Sequence, residues 1–379
     1  MPDTSLAAVS AWVDARFGLL GEVHCSRLGH PEPGWWYCGG SLARYPVGNR
    51  FSLDPASSAG TSTDREEALW RAMGEGIERY SALNAAMDSM PATLRATGLA
   101  ERLPICAPDE PCAPSLRALP LDVPLTHVAV QRLADGREVS VPAGFVHLNF
   151  HPVPPEPLVT LPISTGLAFH TDLPTAIWSG LCEVAERDAV MAMWWRRTSL
   201  PEIVCTGLDV PDGVADRLER LTHVGLHVRL FDMTTDFRVP SVFGVLSGEQ
   251  YPLIVVSAAC RSDPAAACTK TLDELVAMRL AMRGRREAVP ATLQRLEDHA
   301  LLYAHRGPGP AFDFLLDHDA PAQISFAEFA GQSWWERPAD MAALATCAGH
   351  LAERGLTVLW TDVTAEEAAG IGTVVKVIV

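Results

Sequence analysis

Hydrophobic positions along the chain follow two alternating rhythms. Short runs rich in β-branched residues, bounded by Gly, Pro and Asp, read as strands. They are "THVAVQRL", "REVSVPAGFVHL", "LVTLPI", "HVRLFDM", "VPSVFGVL", "YPLIVVSAA", "TVLWTDV" and "GTVVKVIV". Between them, apolar residues recur at helical spacing over 64–88, 173–196, 212–224, 265–287 and 337–354. The alternation predicts an α/β (α+β) protein, with mixed sheets and flanking helices. Asp-Gly inside "LADGREV" predicts a hairpin. Proline-rich stretches at 104–124 and 152–158, and "HRGPGPA" at 305–311, read as connecting loops. One large domain is expected, with residues 1–50 as a strand-rich N-terminal segment of it and 51–379 as its main body.

Two of the helical stretches resemble each other. "ALWRAMGEGIERYSA" and "AIWSGLCEVAERDAV" agree at Ala68/Ala176, Trp70/Trp178, Glu75/Glu183, Glu78/Glu186 and Arg79/Arg187, always 108 residues apart. An internal pseudo-duplication is one reading; a chance likeness of two helices is the other. In each copy the glutamates stand three apart and share a face, and the arginine follows the first glutamate by four, the favourable order for an ion pair.

Those charges admit a plain account, a solvated Glu–Arg face contributing a few tenths of a kcal/mol. The surroundings are nearly all apolar, however, and such helices are buried on most sides. A buried carboxylate that stays ionised needs a cation. Four glutamates from two facing helices would supply hard oxygen ligands suited to Mg²⁺ carrying nucleotide phosphates. A di-iron site would require histidine in Glu-x-x-His spacing, which neither copy has.

"SSAGTSTDREEA" and "ISTGLAFHTDLPTA" place Ser/Thr- and Gly-containing turns before the two helices. Their N–H groups and hydroxyls can face an anion, or simply cap a helix. In "TKTLDELVAMRLAMRGRREA", Arg279 falls on the stripe of Leu272, Leu275 and Val276. It either snorkels outward or faces an interior anion.

The charge balance narrows the choice of partners. A net charge of −16 and a pI of about 5.1 exclude a nucleic-acid partner and disfavour anionic membranes. No apolar run approaches the roughly 20 residues of a spanning helix, and the start lacks signal-peptide character. Nine cysteines without a CxxC pair fit reduced thiols in a cytoplasmic protein. Cys182 reads as buried packing, and His147 and His151 as loop histidines rather than metal ligands.

Two Glu-x-x-Glu-Arg helices, the glycine-containing turns before them and the later Glu274…Arg279 helix together resemble the YcaO family, from about residue 40 to the end. "EDHALLYAHRGPGPAFDFLL" is similar, more loosely, to its SagD-like branch that forms thiazoles and oxazoles. The resemblance implies a YcaO domain over 51–379 and an ATP- and Mg²⁺-dependent enzyme acting on peptide backbone amides. It implies Glu75, Glu78, Glu183 and Glu186 as Mg²⁺ ligands. Arg187 and Arg279 would lie near the phosphates, with Arg71, Glu75, Arg79, Ser164, Thr165 and Glu274 as further ATP contacts.

Three residues depart from the family pattern: Arg71 where many members have Ser, Thr61 for a common Lys, and Thr165 for a frequent Asn. Ring-forming members usually finish in a proline-rich tail, whereas this sequence stops at "VVKVIV". The product implied is therefore an azoline, a macrocyclic amidine or a thioamide; a non-catalytic leader-binding scaffold is the rival. Expected partners are a precursor peptide and either a separate leader-peptide-binding protein or direct binding of a short substrate segment, with a homodimer left open.

Overall fold

The computed structural model describes residues 12–14, 18–42, 57–85, 88–98, 121–148, 150–160, 162–207, 209–285, 287–293, 296–316, 322–332 and 334–379. Strands β1 (Leu20–Arg27), β2 (Trp36–Leu42) and β3 (Ser57–Ser62) form an antiparallel sheet in that order. Helix α1 (Arg65–Asn84) lies across it. A Cβ on Gly60 would stand 2.1 Å from the Ala68 carbonyl oxygen, so only glycine lets β3 approach the helix this closely. The segment expected to be a turn before α1 is thus mostly strand, and the turn shrinks to Thr63–Asp64.

Strands β4 (Ser89–Ala92), β5 (Leu125–Arg132), β6 (Glu138–Pro142) and β7 (Leu167–His170) follow, then helix α2 (Leu173–Arg196). Next come β8 (Glu202–Val204), α3 (Asp212–His223), β9 (His227–Asp232), β10 (Ser241–Ser247), β11 (Ile254–Cys260) and α4 (Pro264–Arg283). The last elements named are β12 (Gln323–Ser325), α5 (Met341–Ala352), β13 (Leu359–Asp362) and β14 (Thr373–Ile378). One sheet runs β11-β10-β9-β8-β12; the other runs β4-β5-β13-β14-β7, with β6 paired to β5. Pairing is antiparallel except for β12 on β8, and β5 and β6 form the expected hairpin around Asp135-Gly136.

Three helices converge between the sheets, each started by an aspartate. Asp64 accepts from the Glu67 amide, Asp172 from Thr175, and Asp263 from Ala265 and Ala266. Each cap contributes about 1 kcal/mol and fixes where its helix begins. The first two caps keep the 108-residue offset of the glutamates they precede.

Two sequence expectations change, and a third falls mostly outside the described residues. "LVTLPI" forms no strand among its described residues, because Pro162 interrupts the run. Most of the 104–124 loop lies outside the described residues. The expectation of reduced thiols fails at Cys25 and Cys38, which stand opposite each other in the β1–β2 register and form a disulfide with Cα atoms 4.1 Å apart. Cross-strand pairing brings them together, and no motif announces it. Among the described residues, no helix is long and apolar enough to cross a membrane.

Candidate active site

Helices α1, α2 and α4 line one cleft of about 1730 Å³, and both glutamate pairs open into it. On α1, Glu75 is firmly held. Its Oε1 lies 2.5 Å from Arg79 Nη2, and its Oε2 accepts from the Ala59 amide at 2.6 Å. Arg79 in turn donates to the Ser57 carbonyl at 2.5 Å, tying the pair to β3. One turn on, burial, then Glu183 and Glu75, push the Glu78 carboxyl well above its ordinary range, against Arg79 and Lys376.

The α2 pair is held more loosely. Arg187 comes no closer than 3.6 Å to Glu183 and 3.9 Å to Glu186, and is itself mostly exposed. Glu186 Oε2 accepts from the Cys260 amide at 3.2 Å. Burial, followed by repulsion from Glu274, pushes the Glu186 carboxyl up to about 7, against Arg187 and Arg261. Burial also raises Glu183, while Arg187 and Lys376 pull it back.

The third wall comes from α4 and the end of β11. Burial opposes the charge of Glu274, yet Lys270 at 2.8 Å, Arg261 and the Ser257 hydroxyl at 3.0 Å hold it below its ordinary range. Near the start of α1, Arg71 Nη1 donates to Asp273 Oδ2 at 2.6 Å and Nη2 to Glu67 Oε1 at 2.6 Å. Asp273 is fully buried and also accepts from Trp35 Nε1 at 2.7 Å and from Arg217 Nε at 2.8 Å. Two arginines and an indole satisfy it, so Arg71 is fixed facing the cleft.

Glu75, Glu78, Glu183, Glu186, Arg71, Arg79, Ser164, Arg187 and Glu274 all line this cleft. Thr165 instead offers its carbonyl oxygen to Lys376. Arg279 is not among the residues lining the cleft: it lies buried, and its Nε donates to Glu32 Oε2 at 3.1 Å, so it does not snorkel outward and is engaged by a carboxylate of its own chain. A carboxylate 247 residues away in sequence satisfies the buried charge. Sequence reasoning missed Lys376, Arg261 and Lys270. Only Lys376 left a trace, as the lone charge in the apolar run "VVKVIV".

Among the described residues, no three acidic groups converge tightly enough to make a finished ion site. The donor set nevertheless fits a hard divalent cation that brings some of its own ligands. Carboxylates on two helices crowd one another, and burial raises their proton affinity for lack of a counter-charge. Mg²⁺ carried on nucleotide phosphates would supply that charge, with these glutamates as its protein ligands.

The chain is similar to known proteins. A family model described as YcaO cyclodehydratase, ATP- and Mg²⁺-binding, matches residues 59–379. An uncharacterised protein of Methanothermobacter thermautotrophicus is 32% identical over 236 residues, 60% of this chain and 59% of its own length. A protein encoded 3′ of tfuA in Rhizobium leguminosarum bv. trifolii is 28% identical over 268 residues, 64% of this chain and 60% of its own. The chain thus spans about three-fifths of the length of these relatives. A heterocyclase solved with substrate and cofactor shares the fold at TM-score 0.74 and 20% identity, over 99% of this chain and 51% of that one. The Methanopyrus kandleri protein bound to AMPPCP and Mg²⁺ does so at 0.63 and 22%, over 95% and 85%. The E. coli microcin synthetase McbBCD complex contains a chain at 0.63 and 14%, over 94% and 86%.

Proposed function

Because the chain belongs to the YcaO family, we propose that it spends ATP, with Mg²⁺, to activate a backbone amide of a ribosomally made peptide. The observation that carries this reading is the meeting of two Glu-x-x-Glu pairs in one cleft of about 1730 Å³. Ligand pockets run to roughly 1,000 Å³, so this cleft has room for a nucleotide and a stretch of peptide together.

In the proposed reaction a nucleophile of the peptide, a Cys, Ser or Thr side chain or an amine, adds to an amide carbonyl carbon. The oxyanion formed attacks the γ-phosphorus of ATP, and ADP leaves. The nucleophile gives up its proton on addition; cleavage of the carbon–oxygen bond then expels phosphate as the amide nitrogen loses its proton, leaving an azoline or a cyclic amidine, whereas hydrosulfide in place of the peptide nucleophile would lose its proton instead and give a thioamide.

Phosphorylation is what turns a poor leaving group into a good one. Mg²⁺, when bound, neutralises charge on the phosphates during transfer. Glu75, Glu78, Glu183 and Glu186 would hold it. Arg187 and Arg261, poised beside Glu186, balance negative charge along the phosphates, and Arg71 is set to do so at the start of α1. A precursor peptide is the substrate, presented by a separate leader-binding protein.

The test is phosphate release from ATP with candidate precursor peptides, with and without Mg²⁺, followed by mass spectrometry of the peptide. Mg²⁺-dependent release with loss of one water per site supports azoline or amidine formation; exchange of oxygen for sulfur identifies a thioamide. Failure to bind nucleotide or release phosphate would leave the chain a non-catalytic scaffold.

A further inference from the structure

Lys376 is the one charged residue in β14, and its neighbours Val374, Val375 and Val377 are fully buried, as it nearly is itself. A lysine in such a strand is costly unless its ammonium is satisfied. Here Nζ donates to the carbonyl oxygens of Ile163 and Thr165, both at 2.7 Å, on either side of Ser164, which lines the cleft. The Val377 amide donates to the Gly166 carbonyl at 2.8 Å. A Cβ on Gly166, whose φ is +84°, would meet the Val377 carbonyl oxygen at 2.1 Å. The turn before β7 is therefore fastened to β14 at three points.

Two carbonyls occupy two of the three N–H bonds, and β14 packs against both α1 and α2, so the ammonium sits on the strand that the two glutamate helices share and its charge favours the ionised forms of Glu183 and Glu78. We infer that Lys376 is a positioning residue with two linked tasks: it fixes the Ser164 turn, and its charge keeps the glutamate row from taking up a divalent cation until a nucleotide brings one. The inference rests on the proposed function. Phosphate oxygens complete the cation's shell and tip the balance that Lys376 otherwise holds against it. A bare cation is drawn by the glutamates but brings no phosphate to offset the ammonium's repulsion.

The two tasks give opposite signs in a neutral variant. In Lys376→Met, Mn²⁺ titrated without nucleotide and followed by electron paramagnetic resonance should bind at least about tenfold more tightly than in wild type. Mg²⁺ with a non-hydrolysable ATP analogue, followed by calorimetry, should bind about tenfold more weakly, because the turn is released. Lys376→Arg keeps the charge and should stay near wild type for bare Mn²⁺. Lys376→Gln, neutral but still a donor, repeats the Mn²⁺ measurement should the methionine variant not fold.

Weaker binding of both ligands, or no change in either, overturns the inference and makes Lys376 a structural residue only. So does insolubility of both neutral variants. Failure of wild type to bind the Mg²⁺–nucleotide complex would instead overturn the proposed function, which keeps the two failures distinct.

Discussion

The two glutamate helices share glutamate spacing and an aspartate cap, but their charges are balanced differently. On α1, Glu75 is neutralised within the protein by Arg79 at 2.5 Å and by the Ala59 amide at 2.6 Å. On α2, Arg187 stays 3.6 Å or more from both glutamates, and Glu186 is pushed up to about 7. The α1 pair is half a structural joint, binding helix to strand through Ser57 and Ala59. The α2 pair is kept short of positive charge. Identical motifs thus divide the work: one side is pre-organised, and the other is completed only when a cation arrives.

Neutralising each side in turn tests that division, and the largest difference should appear in turnover. Glu183→Gln and Glu186→Gln should each lower Mg²⁺-dependent phosphate release by about 10²–10³-fold, the usual cost of removing a group that stabilises developing charge. Both should remain folded. Glu75→Gln should cost about tenfold in turnover and also lower the unfolding midpoint, because it loosens the joint to β3. Equal losses at all three positions, with unchanged stability, would remove the distinction between the helices.

The next effect is a pH dependence, to which Glu186 on α2 contributes alongside the raised carboxyls of Glu183 and, on α1, Glu78. The folded-state pKa of Glu186, about 7, lies above its ordinary 4.5. The ligand-free folded protein therefore holds a proton that the unfolded chain has released. This contribution to stability is complete below pH 4.5 and is lost as pH rises through 7. Glu186→Gln should remove its own share of that slope, leaving those of Glu78 and Glu183, and make the ligand-free protein more stable at pH 8, by roughly 3 kcal/mol at most, in urea denaturation. Affinity for Mg²⁺–nucleotide should rise over the same interval, with proton release visible by calorimetry in buffers of different ionisation enthalpy. A flat profile in wild type would place the proton elsewhere.

Much of this arrangement was legible in sequence because it is local. Helical periodicity located α2 end to end, since an aspartate cap starts it and Arg197, at φ 51°, stops it. The three-residue glutamate spacing placed both pairs on one face. What escaped was set by contacts across the fold. β3, "SSAGTS", has none of the apolar alternation of a strand; its partner β2 and the closeness that Gly60 permits make it one. Glu32 captured Arg279, and the register of β1 with β2 joined Cys25 to Cys38 across 13 residues. Lys376 shows in sequence only as a lone charge in an apolar run, and its partners, carbonyls more than 200 residues earlier, come from the fold.

The smallest effects should separate the two arginines that match each other in sequence. Arg79 is engaged by Glu75 and by the Ser57 carbonyl, and about a third of its side chain is exposed. Arg79→Met should lower stability by about 1 kcal/mol after solvent screening and change nucleotide KM little. Arg187 is 59% exposed, and its contacts of 3.6 and 3.9 Å are too long to contribute much to folding. Arg187→Met should leave stability within about 0.5 kcal/mol. Its side chain is free to turn toward an incoming phosphate, so nucleotide KM should rise several-fold, about as expected for one charge-assisted hydrogen bond. Thermal unfolding and steady-state KM on the two variants read both quantities. A crossed pattern, stability lost at Arg79 and affinity lost at Arg187, is what the unequal pairing requires; parallel changes in both variants would mean that the two helices share the load evenly.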